Sequence, residues 1–165
     1  MSEAALCSLQ RILPEEAEEL SEKAIPVLRK VYAHVPSEVL DQFLRESLTP
    51  EAIRSQMSDG MVFCHIISGF QRAGFLSYAK ERDCMHLSKL YLFEEYRGKG
   101  LGRRAFEYVE HEAHVQGCRR MRLEVNDHNE RAMRFYEGLG FVMGKRMNLR
   151  RFEMTKELES WPIDP

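Results

Sequence analysis

Hydrophobic positions change their period several times along the chain, and each change predicts a change of element. Residues 5–12 predict a first strand. From Pro14 the acidic run PEEAEEL opens a helical stretch to about Val31. Proline in the first turn and acids near the positive helix end both suit a start, and Pro26 is expected to kink or break the helix. A second helical stretch runs from Pro36 through SEVLDQFLRESL to about Met57, with an interruption near Thr49–Pro50. Beyond the Asp59–Gly60 turn, MVFCHIIS and AGFLSYAK read as the strands of a hairpin, and MHLSKLYLF as a third strand. Leu101, Ala105, Tyr108, Val109 and Ala113 then recur at helical spacing over 101–116. MRLEV is a further strand, NERAMRFYEGL a helix ending at Gly140, and FVMGKRMNL with RFEMTKEL a closing strand pair. The order β-αα-βββ-α-β-α-ββ predicts an α/β domain with a mixed sheet.

Composition narrows the partners. The chain has 165 residues, 44% hydrophobic and 30% charged, which describes one ordinary globular domain over 1–165. A formal net charge of −2 gives no overall case for nucleic acid or an anionic membrane surface, so any basic site is local. MSEAALCSLQ has neither a basic n-region nor an apolar h-region, and runs such as MVFCHII are far shorter than the roughly 18 residues of a membrane helix, so a cytoplasmic location is expected. Cys7, Cys64, Cys84 and Cys118 are scattered, without CxxC or metal-like pairing with histidine, and read as reduced, small buried hydrophobes; no metal is expected. Residues 159–165, including Trp161, are expected to form a loose tail.

The stretch LYLFEEYRGKGLGRRAFEYVEHEA carries the chemistry. Gly98, Gly100 and Gly102 alternate with other residues, and Arg97, Lys99, Arg103 and Arg104 surround them. An apolar strand enters the loop and an amphipathic helix leaves it. Unpaired backbone N–H groups therefore face one spot with the positive end of the helix dipole behind them. Glycine permits positive φ and lets a bulky anion approach the main chain, so the expected guest is a phosphate or pyrophosphate. The Walker pattern is absent, and GxGxG deep in the chain does not fit the dinucleotide fingerprint, which needs GxGxxG near the start of a βαβ unit.

YRGKGLG resembles the [Q/R]-x-x-G-x-[G/A] acetyl-CoA loop of the GNAT N-acetyltransferase superfamily, with Arg97, Gly100 and Gly102 at the defining positions. Downstream, LEVNDHNERAMRFYEGLGF is similar to that family's N-x-x-A-x-x-[F/L]-Y-x-x-x-G-F segment at Asn129, Ala132, Phe135, Tyr136, Gly140 and Phe141. The two motifs form a core over 86–142. Among subgroups the wording is closest to bacterial small-amine and polyamine acetyltransferases. The resemblance implies a single GNAT-like domain, its sheet mostly antiparallel, with helices on both faces. It also implies acetyl-CoA as co-substrate. Backbone amides of Gly98, Lys99, Gly100, Leu101, Gly102 and Arg103 would hold the pyrophosphate, supplemented by the charges of Arg97, Lys99 and Arg103. The main chain of Tyr91, Leu92 and Phe93 would pair with the pantetheine arm, and the Leu92 N–H would polarise the thioester carbonyl. Homodimers are frequent in the family.

Joining a primary amine to a thioester poses two proton problems: the amine must lose a proton, and the departing thiolate is better stabilised by gaining one. Tyr136 is the candidate acid. It stands seven residues from Asn129, two helical turns, so both project from one side of a helix and Asn129 could hold the cofactor arm. Their plainer roles are an amphipathic core residue for Tyr136 and a helix N-cap for Asn129. For the base, strand alternation groups His86, Ser88, Leu90 and Leu92 on one face unless a β-bulge intervenes. Many family members carry Glu or His eleven residues before the leading Arg/Gln of the loop, and His86 holds that place. Glu124 and water are the alternatives. The expected function is acetyl transfer to a primary amine, a small amine or polyamine, by direct attack in a ternary complex. A protein N-terminus or lysine as acceptor, and a non-catalytic CoA-binding sensor, are the competing readings.

Overall fold

A computed structural model describes residues 6–148 and 150–159; the expectation for the tail, Trp161 included, lies outside them beyond Glu159. Strand β1 (Cys7–Arg11) leads through a 3-10 turn at Pro14–Glu16 into α1 (Ala17–Val31). Pro26 lies inside α1 and does not break it, so of the expected kink or break the break is absent. Pro26 and Glu22 are both solvent-exposed, so the hydrogen bond that proline removes is lost on the solvent side of the helix. The opposite stripe, Ala17, Leu20, Ala24 and Leu28, is buried, each leucine contributing about 1.5–3 kcal/mol relative to exposure. The second helical stretch divides at the expected interruption into α2 (Ser37–Ser47) and α3 (Pro50–Ser58). Pro50 starts a new helix because the Thr49 side chain accepts from the Ala52 N–H at 3.2 Å and caps it.

Strands β2 (Val62–Ser68), β3 (Gln71–Glu81) and β4 (Cys84–Leu92) follow, then α4 (Leu101–Val115), β5 (Arg120–Asn126), α5 (Glu130–Gly138), β6 (Val142–Arg146) and β7 (Arg151–Glu157). The seven strands form one sheet in the order β1-β2-β3-β4-β5-β7-β6. All neighbours are antiparallel except β4 and β5, which are parallel and pair only from Cys84 to His86 against Arg120 to Arg122. Beyond His86 the two strands part.

The sheet buries both faces. Ile66, Leu76, Met85, Leu87, Met121 and Leu123 pack with Leu101, Ala105, Phe106 and Val109 of α4, while Ala132, Phe135 and Tyr136 of α5 close the same side. Phe63 and Phe75 pack with α1, α2 and α3 on the other. One irregularity decides the site. Ser77 pairs with Lys89 but Tyr78 pairs with Leu87, so Ser88 is a bulge in β4. The bulge re-aims the strand. Leu90 joins Leu87 on the α4 face, while His86, Lys89 and Tyr91 share the α1–α3 face. The simple alternation grouping His86 with Leu90 and Leu92 is thereby corrected.

Candidate active site

The parting of β4 from β5 opens a cavity of about 390 Å³ lined by Leu92, Arg97, Gly102, Leu123, Asn129 and Tyr136, among others. At its loop end Gly98 and Gly100 have φ of 77° and 83°, left-handed conformations that glycine adopts without strain. Gly100 is the N-cap of α4 and brings no side chain to the helix start. The Arg104 N–H returns to the Gly100 carbonyl, so the amides of Leu101, Gly102 and Arg103 are the orphan donors of the first turn. No acidic side chain lies in that turn to occupy them. Gly102 serves a different end: a Cβ there would meet the Phe135 ring at 3.3 Å, so its smallness lets α4 approach α5.

The neighbouring side chains divide. The Arg97 Nε donates to the Leu92 carbonyl at 3.1 Å, folding the guanidinium back against the edge of β4. Lys99 is exposed beside the loop. Arg103 reaches the Gly138 carbonyl at 3.5 Å, and the Leu101 side chain is in the core. Along β4 the Phe93 N–H donates to Ala73 at 2.8 Å, so the main chain of Phe93 faces β3. By strand alternation the N–H groups of Leu90 and Leu92 face the gap towards β5, and that of Tyr91 faces β3.

Asn129 caps α5, its Oδ1 accepting from the Ala132 N–H at 3.1 Å, and lines the cavity together with Tyr136. The Tyr136 ring is half-buried against Phe135 and Phe141, centroids at 5.1 and 5.6 Å. Burial, with Tyr32 nearby, pushes the Tyr136 phenol well above its ordinary pKa, so it holds its proton at neutral pH. The Tyr91 phenol is raised likewise, first by burial and then by Tyr32, whose hydroxyl lies 2.8 Å from its own.

A second cavity, about 700 Å³, opens on the α1–α3 side between α2 and β5, with Val39, Phe43, His86, Asn126, Arg150 and Arg151 in its walls. The two cavities share Tyr32, Ser88, Lys89, Tyr91 and Glu124, so they meet at the bulge. His86 faces the second cavity alone. Its Nδ1 lies 3.3 Å from Glu81, itself held by Arg122 at 3.0 Å. Burial, then the Arg122 charge, lower the His86 pKa, leaving the ring neutral at pH 7 and able to accept a proton. Glu124 borders both cavities and lies 3.9 Å from Arg151.

Lys89 escaped the sequence reading. A lysine inside the otherwise apolar KLYLF was its only signal, and the bulge that turns it towards the cavities is not legible in the residues. Cys7, Cys64, Cys84 and Cys118 are all buried free thiols. Cys84 has Arg120 and Arg122 close by, an electropositive setting that its sequence did not suggest, yet burial outweighs them and raises its pKa. Among the described residues no helix is long and apolar enough to cross a membrane.

The acetyltransferase (GNAT) family model matches residues 27–141. Over 56 residues the chain is 41% identical to the thialysine N-epsilon-acetyltransferase of Bos taurus, covering 34% of this chain and 33% of that one. Over 74 residues it is 31% identical to the spermine/spermidine N(1)-acetyltransferase of Bacillus subtilis (strain 168), covering 44% and 49%. The matched stretches thus span a third to a half of these relatives. The solved PaiA N-acetyltransferase from Thermoplasma acidophilum, in complex with coenzyme A, shares the fold with a TM-score of 0.78 at 24% identity, over 92% of this chain and 99% of that chain. With the family model running from Val27, near the end of α1, to Phe141, and so over both the glycine loop and the α5 segment, the chain belongs to the acetyltransferase (GNAT) family.

Proposed function

We propose that the protein transfers the acetyl group of acetyl-CoA to a small primary amine by direct attack in a ternary complex. The observation that carries this reading is the meeting of two cavities at the Ser88 bulge, one of them ending on the bare N-terminus of α4. The amides of Gly98 to Arg103, with Arg97 and Lys99, bind the diphosphate; the Leu92 N–H on the edge of β4 aligns the pantetheine arm; Asn129 lies beside it. Acetyl-CoA supplies an activated acyl carbon.

The amine enters from the larger cavity. Its nitrogen forms a bond to the thioester carbon as its proton passes to His86, directly or through water. The C–S bond breaks, and Tyr136 donates its proton to the departing sulfur. At neutral pH His86 is unprotonated and Tyr136 protonated, the resting forms that a base and an acid each require. Calorimetry with acetyl-CoA, followed by thiol release against a panel of amines, tests the reading. Binding with amine-dependent release is expected; tight binding without release for any amine would leave a CoA-binding module instead.

A further inference from the structure

Lys89 stands at the seam of the two cavities with 6% of its surface exposed. Its ammonium has three donors. Gln56 Oε1 and Ser88 Oγ each lie 3.3 Å away, long for a charged hydrogen bond, and the Phe63 ring centroid lies at 5.5 Å. All three partners are neutral. Among the described residues no carboxylate stands within ion-pair distance of it. Paired with it on β3, Ser77 holds a buried hydroxyl without a hydrogen-bond partner among the described residues. A buried ammonium without a counter-charge is costly.

The charges round the larger cavity sharpen the point. Arg150 and Arg151 join Lys89, against Glu46 and Glu124. Glu124 faces Arg151, and Glu46 accepts from Gln42. His86 is neutral at pH 7. Arg151 also lies with its guanidinium carbon 4.7 Å from the Phe43 ring centroid, which holds a second cation on the same wall. An acceptor with positive charge at both ends would set one of them against Lys89.

We infer that Lys89 binds an acidic group of the acceptor, so that the amine acetylated also carries a carboxylate, as an amino acid does, and is not a bare diamine or polyamine. The inference rests on the acetyltransferase reading and narrows its substrate class. The carboxylate provides the missing counter-charge and fills the open donor of the ammonium; with the acid held at the seam, the amine of the same molecule comes within reach of the thioester. Burial, and then Arg151, lower the Lys89 pKa to about 8, which still leaves it mostly charged at pH 7.

The test compares kcat/KM for matched acceptors: lysine against cadaverine, ornithine against putrescine, phenylalanine against phenethylamine. Each carboxylate-bearing member is expected to exceed its decarboxylated partner by roughly 10- to 100-fold, the usual reach of a hydrogen bond to a charged group. In Lys89→Met that ratio collapses towards one, while the melting temperature stays level or rises because a buried charge has gone. A merely structural lysine would instead lower the melting temperature and depress both acceptors alike. Decarboxylated amines turning over as well as or better than the acids, or a preference that survives Lys89→Met, would overturn the inference and leave acetyl transfer standing. Acetyl-CoA binding with no thiol release from any acceptor would remove both.

Discussion

The hydroxyls of Tyr32 and Tyr91 lie 2.8 Å apart, tying the last turn of α1 to β4 at the wall common to both cavities. In the proposed ternary complex this bond lies at the rim where acceptor and thioester meet. Tyr91→Phe removes one partner and leaves the Tyr32 hydroxyl beside the cavity. The expected cost is about 1 kcal/mol in denaturant unfolding, with a rise in acceptor KM and little change in acetyl-CoA affinity. An unchanged KM would detach this pair from acceptor binding.

Tyr136→Phe keeps the ring contacts with Phe135 and Phe141 and deletes only the hydroxyl. Loss of general-acid help should lower kcat by about 10²-fold, with acetyl-CoA affinity nearly unchanged by calorimetry. Full activity in this variant would take Tyr136 out of the chemistry.

His86 gives a pH signature. Its folded pKa is lowered below the ordinary 6.5 by burial and Arg122, and in its proposed role as base the ring must be unprotonated to act. Activity therefore falls as pH drops through a value below 6.5, and the neutral form persists through pH 7. In His86→Gln that acid limb should vanish from kcat/KM, leaving the rise set by the amine itself. A limb that survives the substitution assigns it to another group.

Lys89 couples pH to stability. The native state gives up this proton at about 8 and the unfolded chain at 10.5. Between those values the unfolded state binds more protons, so this residue makes stability increase with pH across that window. Comparing unfolding free energies of the native protein and Lys89→Met from pH 7 to 10 isolates the increment, which is expected in the first and missing from the second.

Gly138 supplies a prediction of opposite sign. It ends α5 without a positive φ, is exposed, and an added Cβ would meet nothing within 4 Å. Gly138→Ala should stabilise the fold by up to about 1 kcal/mol and leave acetyl-CoA binding intact.

The legible parts of this molecule are those governed by local physics. The helical period after the glycines, the hairpin of MVFCHIIS with AGFLSYAK and the capping of Asn129 each follow from neighbours in sequence, and the fold came with them. That Pro26 does not break α1 was not legible, because sequence does not tell which helix face meets water, where a lost hydrogen bond is cheap. The bulge at Ser88 arises from register across two strands, so the company of His86, Lys89 and Tyr91 could be seen only once β3 and β4 were paired. Gly102 showed its need for smallness, but not that Phe135 imposes it.

A crystal structure of the protein with coenzyme A tests the central claim most directly. The diphosphate should sit within about 2.7–3.2 Å of the amides at the start of α4, in the segment 97–103, with the thiol arm running between β4 and β5 towards Tyr136. A diphosphate anchored elsewhere, or an arm lying outside the gap between those strands, would contradict the account.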